Sequence, residues 1–427
     1  MLVVTCLAIL FFGTQVFLKK NENQVTWFLC STLLLNSSLV LVNSPRISAH
    51  FFLVICFALS LFLQKRISWE EIPIKWVWLV YFVGFAIIAY KSPLLHGFSM
   101  CYKPIRLFLS SYFVLLLGFF SFRYFKFNKR LVVILLGVTL YGFFTAIIKD
   151  DPLRSLLPVD FKYSYFFGER LRVASTWSHP IAYGFVCSVF LMNLWGGIRA
   201  DRNKKILAFF LLGSILICGS RTVILSAIVM FGVYLLVKGS KKEWKKMLLL
   251  LFIGCFFAFY FSSVGDKILS VVDVFFGGNQ VSGSSLAMRQ GQLDASFAIS
   301  SKFPIFGGGF EYIQEGLGYG KKADWKYWLE YGDLYGFESY LYVLIIERGV
   351  CGIVIELVLI VSLYVWILCR RKKNKEAAAR ACALLTGFLS FAFMTGTLDV
   401  WVIGMYFLGV HMGILNSSVK QVNMVKT

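Results

Sequence analysis

The chain has 427 residues, of which 58% are hydrophobic, 18% aromatic and only 15% charged, with a mean hydropathy of +0.73. A soluble domain of this length needs many more charges to cover its surface, so the composition excludes an ordinary soluble protein and points to a membrane protein. The formal net charge of +21 sits in short clusters between apolar runs, with no aromatic-interleaved basic stripe and no nucleic-acid motif, so nucleic acid is not expected as a partner.

Residues 2–18 are apolar throughout and lack the basic start and small-residue cleavage site of a signal peptide, so they are expected to form a first span. Further apolar windows fall at 26–42, 47–63, 76–90, 105–120, 131–148, 181–197, 206–219, 223–237, 247–262, 338–368, 377–394 and 400–415. A span needs about 20 residues to cross about 30 Å of hydrocarbon, so the pattern predicts about 12–14 transmembrane helices. The expected fold is an all-α integral membrane protein, one polytopic helical bundle over residues 1–427.

Orientation follows from the loops. Lys19 and Lys20, Lys65 and Arg66, the cluster 123–130, the cluster 199–205, the cluster 238–246 and the cluster 370–375 all fall on one side of these windows. The positive-inside rule makes that side cytoplasmic, with the N-terminus outside and the C-terminus inside. Two long polar stretches, 149–178 and 263–337, then face outward as a first external loop and a large external loop. Loops of this length are usually functional. The second carries Gly277, Gly278, Gly283 and Gly307–Gly309, and its end is crowded with Tyr319, Trp325, Tyr327, Trp328, Tyr331 and Tyr335. Such rings suit either the membrane interface or stacking on sugars.

The window 338–368 would reach about 45 Å as one straight helix, too long for a simple span. Glu347 and Arg348 interrupt it and Gly349 and Gly352 follow. Residues 338–348 therefore read as an outer half lying at or dipping into the membrane surface, with the span proper beginning near Gly349. The ten cysteines lie mostly inside apolar windows, with no CxxC and no metal spacing, so neither a disulfide framework nor a structural metal is expected.

Several outward residues could carry chemistry. Arg172 and His179, in the segment 170–180 that ends at Pro180, sit just outside the hydrocarbon, as ligand contacts or as interfacial anchors. Gly219-Ser220-Arg221 joins the outward ends of two short windows. It reads either as two half-helices aiming a fixed cation at an external phosphate, or as a helix–turn–helix whose arginine reaches headgroups. Arg289 lies in the large loop, followed by the turn 303–311 with its triple glycine and Glu311. That turn could present N–H groups to an anion or simply reverse the chain. Glu338, ahead of Ser339 and Tyr340, is a carboxylate where apolar sequence resumes, placed to act as a general base or to pair with Arg348. Asp150 and Asp151 could hold a divalent ion or start a solvated loop, and His411 reads as a core residue. No nucleotide-binding loop, zinc helix or nucleophile elbow occurs.

In this order, Arg172 through His179-Pro180, Gly219-Ser220-Arg221, Arg289, Pro304 through Gly309, Glu338 through Leu341, and Glu347-Arg348-Gly349 with Gly352, the chain resembles the O-antigen ligase and polymerase family of envelope polysaccharide synthesis. The likeness covers about the C-terminal sixty per cent of the chain. It implies a membrane glycosyltransferase of C-type architecture in the bacterial plasma membrane, acting on an undecaprenyl-diphosphate-linked glycan outside it, with no cofactor and no metal. It also makes a chain-length regulator protein a candidate partner, beside membrane lipids. Catalytic roles would fall to Arg221, Glu338 and His179, and substrate binding to Arg172, Arg289, Glu311 and Tyr340. Ligases of the family carry a His-Asn pair after the long loop, where this chain has Phe337-Glu338. That departure favours polymerisation of repeat units over ligation or transport.

Overall fold

The computed structural model describes residues 2–35, 39–43, 46–153, 166–167, 170–177, 179–195, 202–239, 284–317, 337, 339–395 and 401–424. In chain order these form α1 (Leu2–Leu18), α2 (Asn21–Leu34), a hairpin of β1 (Val40–Asn43) and β2 (Arg46–Ser48), α3 (Ala49–Leu63), α4 (Lys75–Lys91), α5 (Phe98–Ser110), α6 (Tyr112–Ser121) and α7 (Lys129–Ile148). A second small hairpin, β3 (Phe166–Phe167) with β4 (Arg170–Leu171), precedes α8 (Pro180–Leu194), α9 (Arg202–Ile217), α10 (Arg221–Lys238), α11 (Ser284–Ser300), α12 (Tyr312–Glu315), α13 (Tyr340–Arg370), α14 (Lys375–Met394) and α15 (Trp401–Met424). Polar caps start the helices: Ser48 accepts from the Phe51 amide, Asn128 from Leu131 and Asn374 from Ala377.

The described helices follow the apolar windows, with three differences. The window 26–42 is not one span: α2 begins earlier and stops at Leu34, and the remaining apolar residues enter β1. The window 105–120 breaks at Ser111, where α5 and α6 meet at 47°. The Ser110 and Ser111 hydroxyls bond back to the carbonyls of Arg106, Leu107 and Phe108, and Pro104 removes a helical N–H. The paired windows around Gly219 are helices of 16 and 18 residues, not half-helices. The window 247–262 lies outside the described residues.

Among the described residues three helices, α7, α13 and α14, are long and apolar enough to cross a membrane, and the bent pair α5–α6 passes the same test together. Five shorter apolar helices accompany them. Along α13, Val350, Val354, Leu357, Val358, Val361, Val365 and Leu368 are exposed on one stripe, which suits contact with lipid rather than water. The chain is a helical membrane protein.

At the centre stand α8, α14 and α15. All of 401–413 is buried, and His411 sits in this core on Asn193 of α8, Nε2 to Oδ1 2.6 Å. Helices α6 and α15 touch backbone to backbone: a Cβ at Gly118 would strike the Tyr406 carbonyl, and one at Gly409 the Leu115 carbonyl. Small residues at a helix crossing allow this approach where no aqueous driving force acts between helices.

Polar contacts group the chain connections at two ends of the bundle. At one end Arg66 bonds Asn21 and lies 4.2 Å from the Tyr124 ring centroid, while Lys126 reaches Glu22 at 3.2 Å. The Asn128 amide and the Lys126 ammonium hold the Glu22 carboxyl below its ordinary value. Glu376 gathers Lys238 at 2.8 Å, Tyr234 and Arg380. At the far ends of α2 and α3, Thr176 donates to the Leu33 carbonyl and Trp177 packs edge-on against His50. The connections at 19–22, 65–66 and 123–128 thus meet one another, and Lys238 meets the start of α14.

Gly118→Leu and Gly409→Leu are expected to cost about 1–3 kcal/mol or more through overpacking. Thermal unfolding in detergent should show both falling below wild type. Gly137→Leu, at a helical glycine with nothing within 4 Å, should leave the midpoint unchanged.

Candidate functional site

Helix α13 is broken at Gly349, whose φ of 59° and ψ of −159° belong to a region only glycine occupies without strain. The break frees two carbonyls on one side and two amides on the other. The turn 303–309 satisfies all four: Gly308 N–H donates to the Ile346 carbonyl at 2.8 Å and Gly309 N–H to Glu347 at 2.9 Å, while Val350 and Cys351 donate to the Pro304 and Ile305 carbonyls, each at 3.0 Å. Gly307, also at positive φ (71°), lies against the Glu347–Arg348 peptide, where a Cβ would collide. Two of the triple glycine's amides are therefore bound to the helix break. The turn neither offers them to an anion nor merely reverses the chain.

Arg348 lies directly before the break and is 2% exposed. Its stem passes over Gly352, where a Cβ would meet the Arg348 Cβ, and its guanidinium reaches Glu356 at 3.5 Å. Aromatic rings of Phe85, Phe310 and Tyr340 surround the cation at 5.2, 5.4 and 5.5 Å. The Glu356 carboxylate also accepts from the hydroxyls of Tyr81 (3.1 Å), Tyr112 and Tyr340 (3.3 Å). A straight helix would hold residues 340 and 356 about 24 Å apart. The chain must fold back at Gly349 for Tyr340 to reach Glu356, so 340–348 form an arm lying beside the span. This agrees with the reading of an outer half that ends at Gly349.

The arm is held from the loop side as well. Glu347 accepts the Glu311 and Ile313 amides, which orders the start of α12. Ile346 packs with Ile299 of α11 and with Ile313 and Leu317. Glu311 and Glu315 extend to α5: Glu311 pairs with Lys103 at 3.3 Å and with Arg106, and Glu315 pairs with Lys103. These pairs are partly exposed and individually weak, but they tie the large loop to the α5–α6 bend.

A second group of predicted residues meets at the α9–α10 turn. Gly219 takes positive φ (63°), Ser220 is buried without making a side-chain cap, and Arg221 opens α10. The Val173 amide lies 3.5 Å from the Ile217 carbonyl, which brings the backbone next to Arg172 beside this turn. His179 caps α8 by accepting the Ile181 amide at its Nδ1, 3.2 Å, with Pro180 in the first turn. Gly184 of α8 gives room to Cys218 and Val223. Ring contacts lead from this group toward the arm: Phe185 on Phe391 at 4.2 Å, Phe388 on Trp401 at 4.2 Å, and Trp401 on Tyr340 at 4.9 Å.

The backbones carrying Arg172 and Arg221 thus lie near one turn, and His179 opens α8, whose Gly184 packs against that turn. Arg289 lies on α11, which packs against the arm through Ile299. The side chains of Arg221 and Arg289, and the whole of Glu338, lie outside the described residues. The Tyr340 hydroxyl is bonded to Glu356, and Glu311 to Lys103 and Arg106. Arg348 pairs with Glu356; the Glu338 partner weighed from sequence lies outside the described residues. Asp151 accepts from the Tyr141 hydroxyl at 2.5 Å. Sequence reading passed over Glu356. The signal was present: Arg348, Gly352 and Glu356 recur at intervals of four within an apolar run, where an ionisable residue needs a partner or a purpose.

Residues 206–357 match the family model described as O-Antigen ligase. The match starts in α9 and ends one residue after Glu356, so it holds Arg221, Arg289, the turn 303–309, Tyr340 and the break. Arg172 and His179 fall outside it and join by packing. No curated protein matches the chain.

Removing one partner of a buried ion pair leaves the other uncompensated and costs about 3–5 kcal/mol. Arg348→Met is expected to lose most of its folded protein in detergent. The double variant Arg348→Met/Glu356→Leu should recover a large part of that loss, as read by size-exclusion yield and unfolding midpoint.

Proposed function

We propose that this chain, whose residues 206–357 match the O-Antigen ligase family model, polymerises undecaprenyl-diphosphate-linked oligosaccharide repeat units on the outer face of the bacterial plasma membrane. The product is O-antigen, capsule or exopolysaccharide, and the architecture is that of a C-type membrane glycosyltransferase. The observation that supports the reading is the approach of the backbone next to Arg172 to the turn that leads into the Arg221 helix start, within the matched residues.

The chemistry is displacement at an anomeric carbon. The acceptor hydroxyl oxygen attacks that carbon, the bond to the donor's diphosphate oxygen breaks, and the diphosphate leaves with the electron pair. Arg221 opens α10, whose first-turn amides are not capped by the Ser220 side chain. A helix N-terminus and a guanidinium together favour a bound phosphoryl group. Arg172 and Arg289 assist in holding the leaving group as its charge develops. Glu338 takes the acceptor proton, and His179 positions the acceptor. Glu311 and Tyr340 contribute through the elements they tie together. Phe337-Glu338 in place of the ligases' His-Asn pair favours repeat-unit polymerisation over transfer to another acceptor. Transport of the lipid-linked glycan is the remaining reading. It gains some weight from the buried Arg348–Glu356 pair, since intramembrane charges also mark transporters.

Reconstituted vesicles supplied with a lipid-linked repeat unit separate these readings: chain growth identifies a polymerase, transfer to a different acceptor a ligase, and translocation alone a flippase. Arg221→Ala should lower turnover by about 100-fold or more at unchanged protein level, with partial recovery in Arg221→Lys, which lacks the bidentate fork. Full activity in Arg221→Ala removes this residue from the site. A cysteine placed at Lys373 should react with an impermeant thiol reagent only after the membrane is opened, and labelling from outside would reverse the topology.

A further inference from the structure

We propose that Glu356 is a positioning residue, which fixes the arm 340–348 through Tyr340 and Arg348 and so constrains the chain that enters the arm two residues after position 338. The proposal rests on the reading of Glu338 as the acceptor base.

One carboxylate here joins three parts of the bundle. Tyr81 comes from α4, Tyr112 from the first turn of α6 and Tyr340 from the first residue of the arm, while Arg348 closes the arm at the break. The arm is held at its far end by the backbone bonds of Gly308 and Gly309 to Ile346 and Glu347. At its mouth the Tyr340 hydroxyl bonds Glu356 and the Tyr340 ring packs on Trp401 at the start of α15. The arm is therefore fixed at both ends, and Glu356 takes part in both, through Arg348 at one and Tyr340 at the other.

Stability alone does not explain such a pair. Well-packed apolar residues often replace a buried ion pair at no loss, so a carboxylate set among three tyrosines and an arginine inside a membrane bundle calls for a specific role. Geometry supplies one. Two residues of chain separate Tyr340 from position 338, a reach of about 7 Å at most. A displacement of about 1 Å in a reacting group can lower a rate by about 100-fold. Tyr340 is thus a short lever between the clamp and the proposed base.

The test uses the full chain in nanodiscs with a lipid-linked repeat unit, and compares wild type, Glu356→Gln and Tyr340→Phe. Amide hydrogen exchange over 340–348 is followed beside the kinetics. Tyr340→Phe removes a single hydroxyl and keeps the ring, so it serves if Glu356→Gln folds poorly. The expected result is a kcat lowered by about tenfold or more, a donor KM within about twofold of wild type, and faster exchange in the arm. The double variant should be no worse than Glu356→Gln alone, because both act on one contact. Faster exchange with unchanged kcat would overturn the positioning role, as would a raised KM with kcat intact. If wild type transfers no glycan at all, the enzymatic reading fails instead; the exchange difference between wild type and Glu356→Gln then still reports the clamp.

Discussion

Four backbone hydrogen bonds between the turn 303–309 and the break in α13 hold the described part of the large loop in place. A helix interrupted inside a membrane protein exposes carbonyls and amides that hydrocarbon cannot satisfy. Here another segment of the same chain fills the gap and pairs four of those groups. The glycines follow from that closeness: Gly349 and Gly307 face each other with no room for a Cβ on either. Once the turn is seated, Glu347 can cap α12, Phe310 can cover Arg348, and Glu311 can reach α5. Loop, arm and bend then form one unit.

The break also changes what the charged residues mean. In a straight helix Arg348 and Glu356 would be two turns apart, with Tyr340 beyond reach of either. Folding back at Gly349 brings all three together and adds tyrosines from α4 and α6. The result is a buried polar cluster with rings on its sides. Such clusters are weak devices for stability and strong ones for fixing a single arrangement. That character suits a site whose reacting groups come from separate helices.

The surroundings of the residues singled out from sequence around the start of the matched region are built differently. Short-range packing sets them: the Val173 amide beside Ile217, a histidine cap on α8, and a glycine that lets α8 approach Cys218 and Val223. The matched region begins within α9, so the Val173 contact reaches it from the segment before α8, outside the match.

The sequence alone determined the class of the protein and the place of most helices, because the hydrocarbon imposes length and apolarity on every span and leaves that demand visible in composition. It also determined the division of the window 338–368 near Gly349 and the likeness to the O-Antigen ligase model over residues 206–357, since each rests on residue type and order. Only the tertiary structure decided what the triple glycine does, because a turn that binds an anion and a turn that fills a helix break use the same residues. It alone decided that the window 105–120 bends at Ser111, where hydroxyls compete for backbone carbonyls within a stretch whose apolarity is continuous. And it alone showed Arg348 against Glu356: the spacing marks both as ionisable residues in an apolar run, but pairing across a fold-back depends on distances that only the folded helix brings within reach.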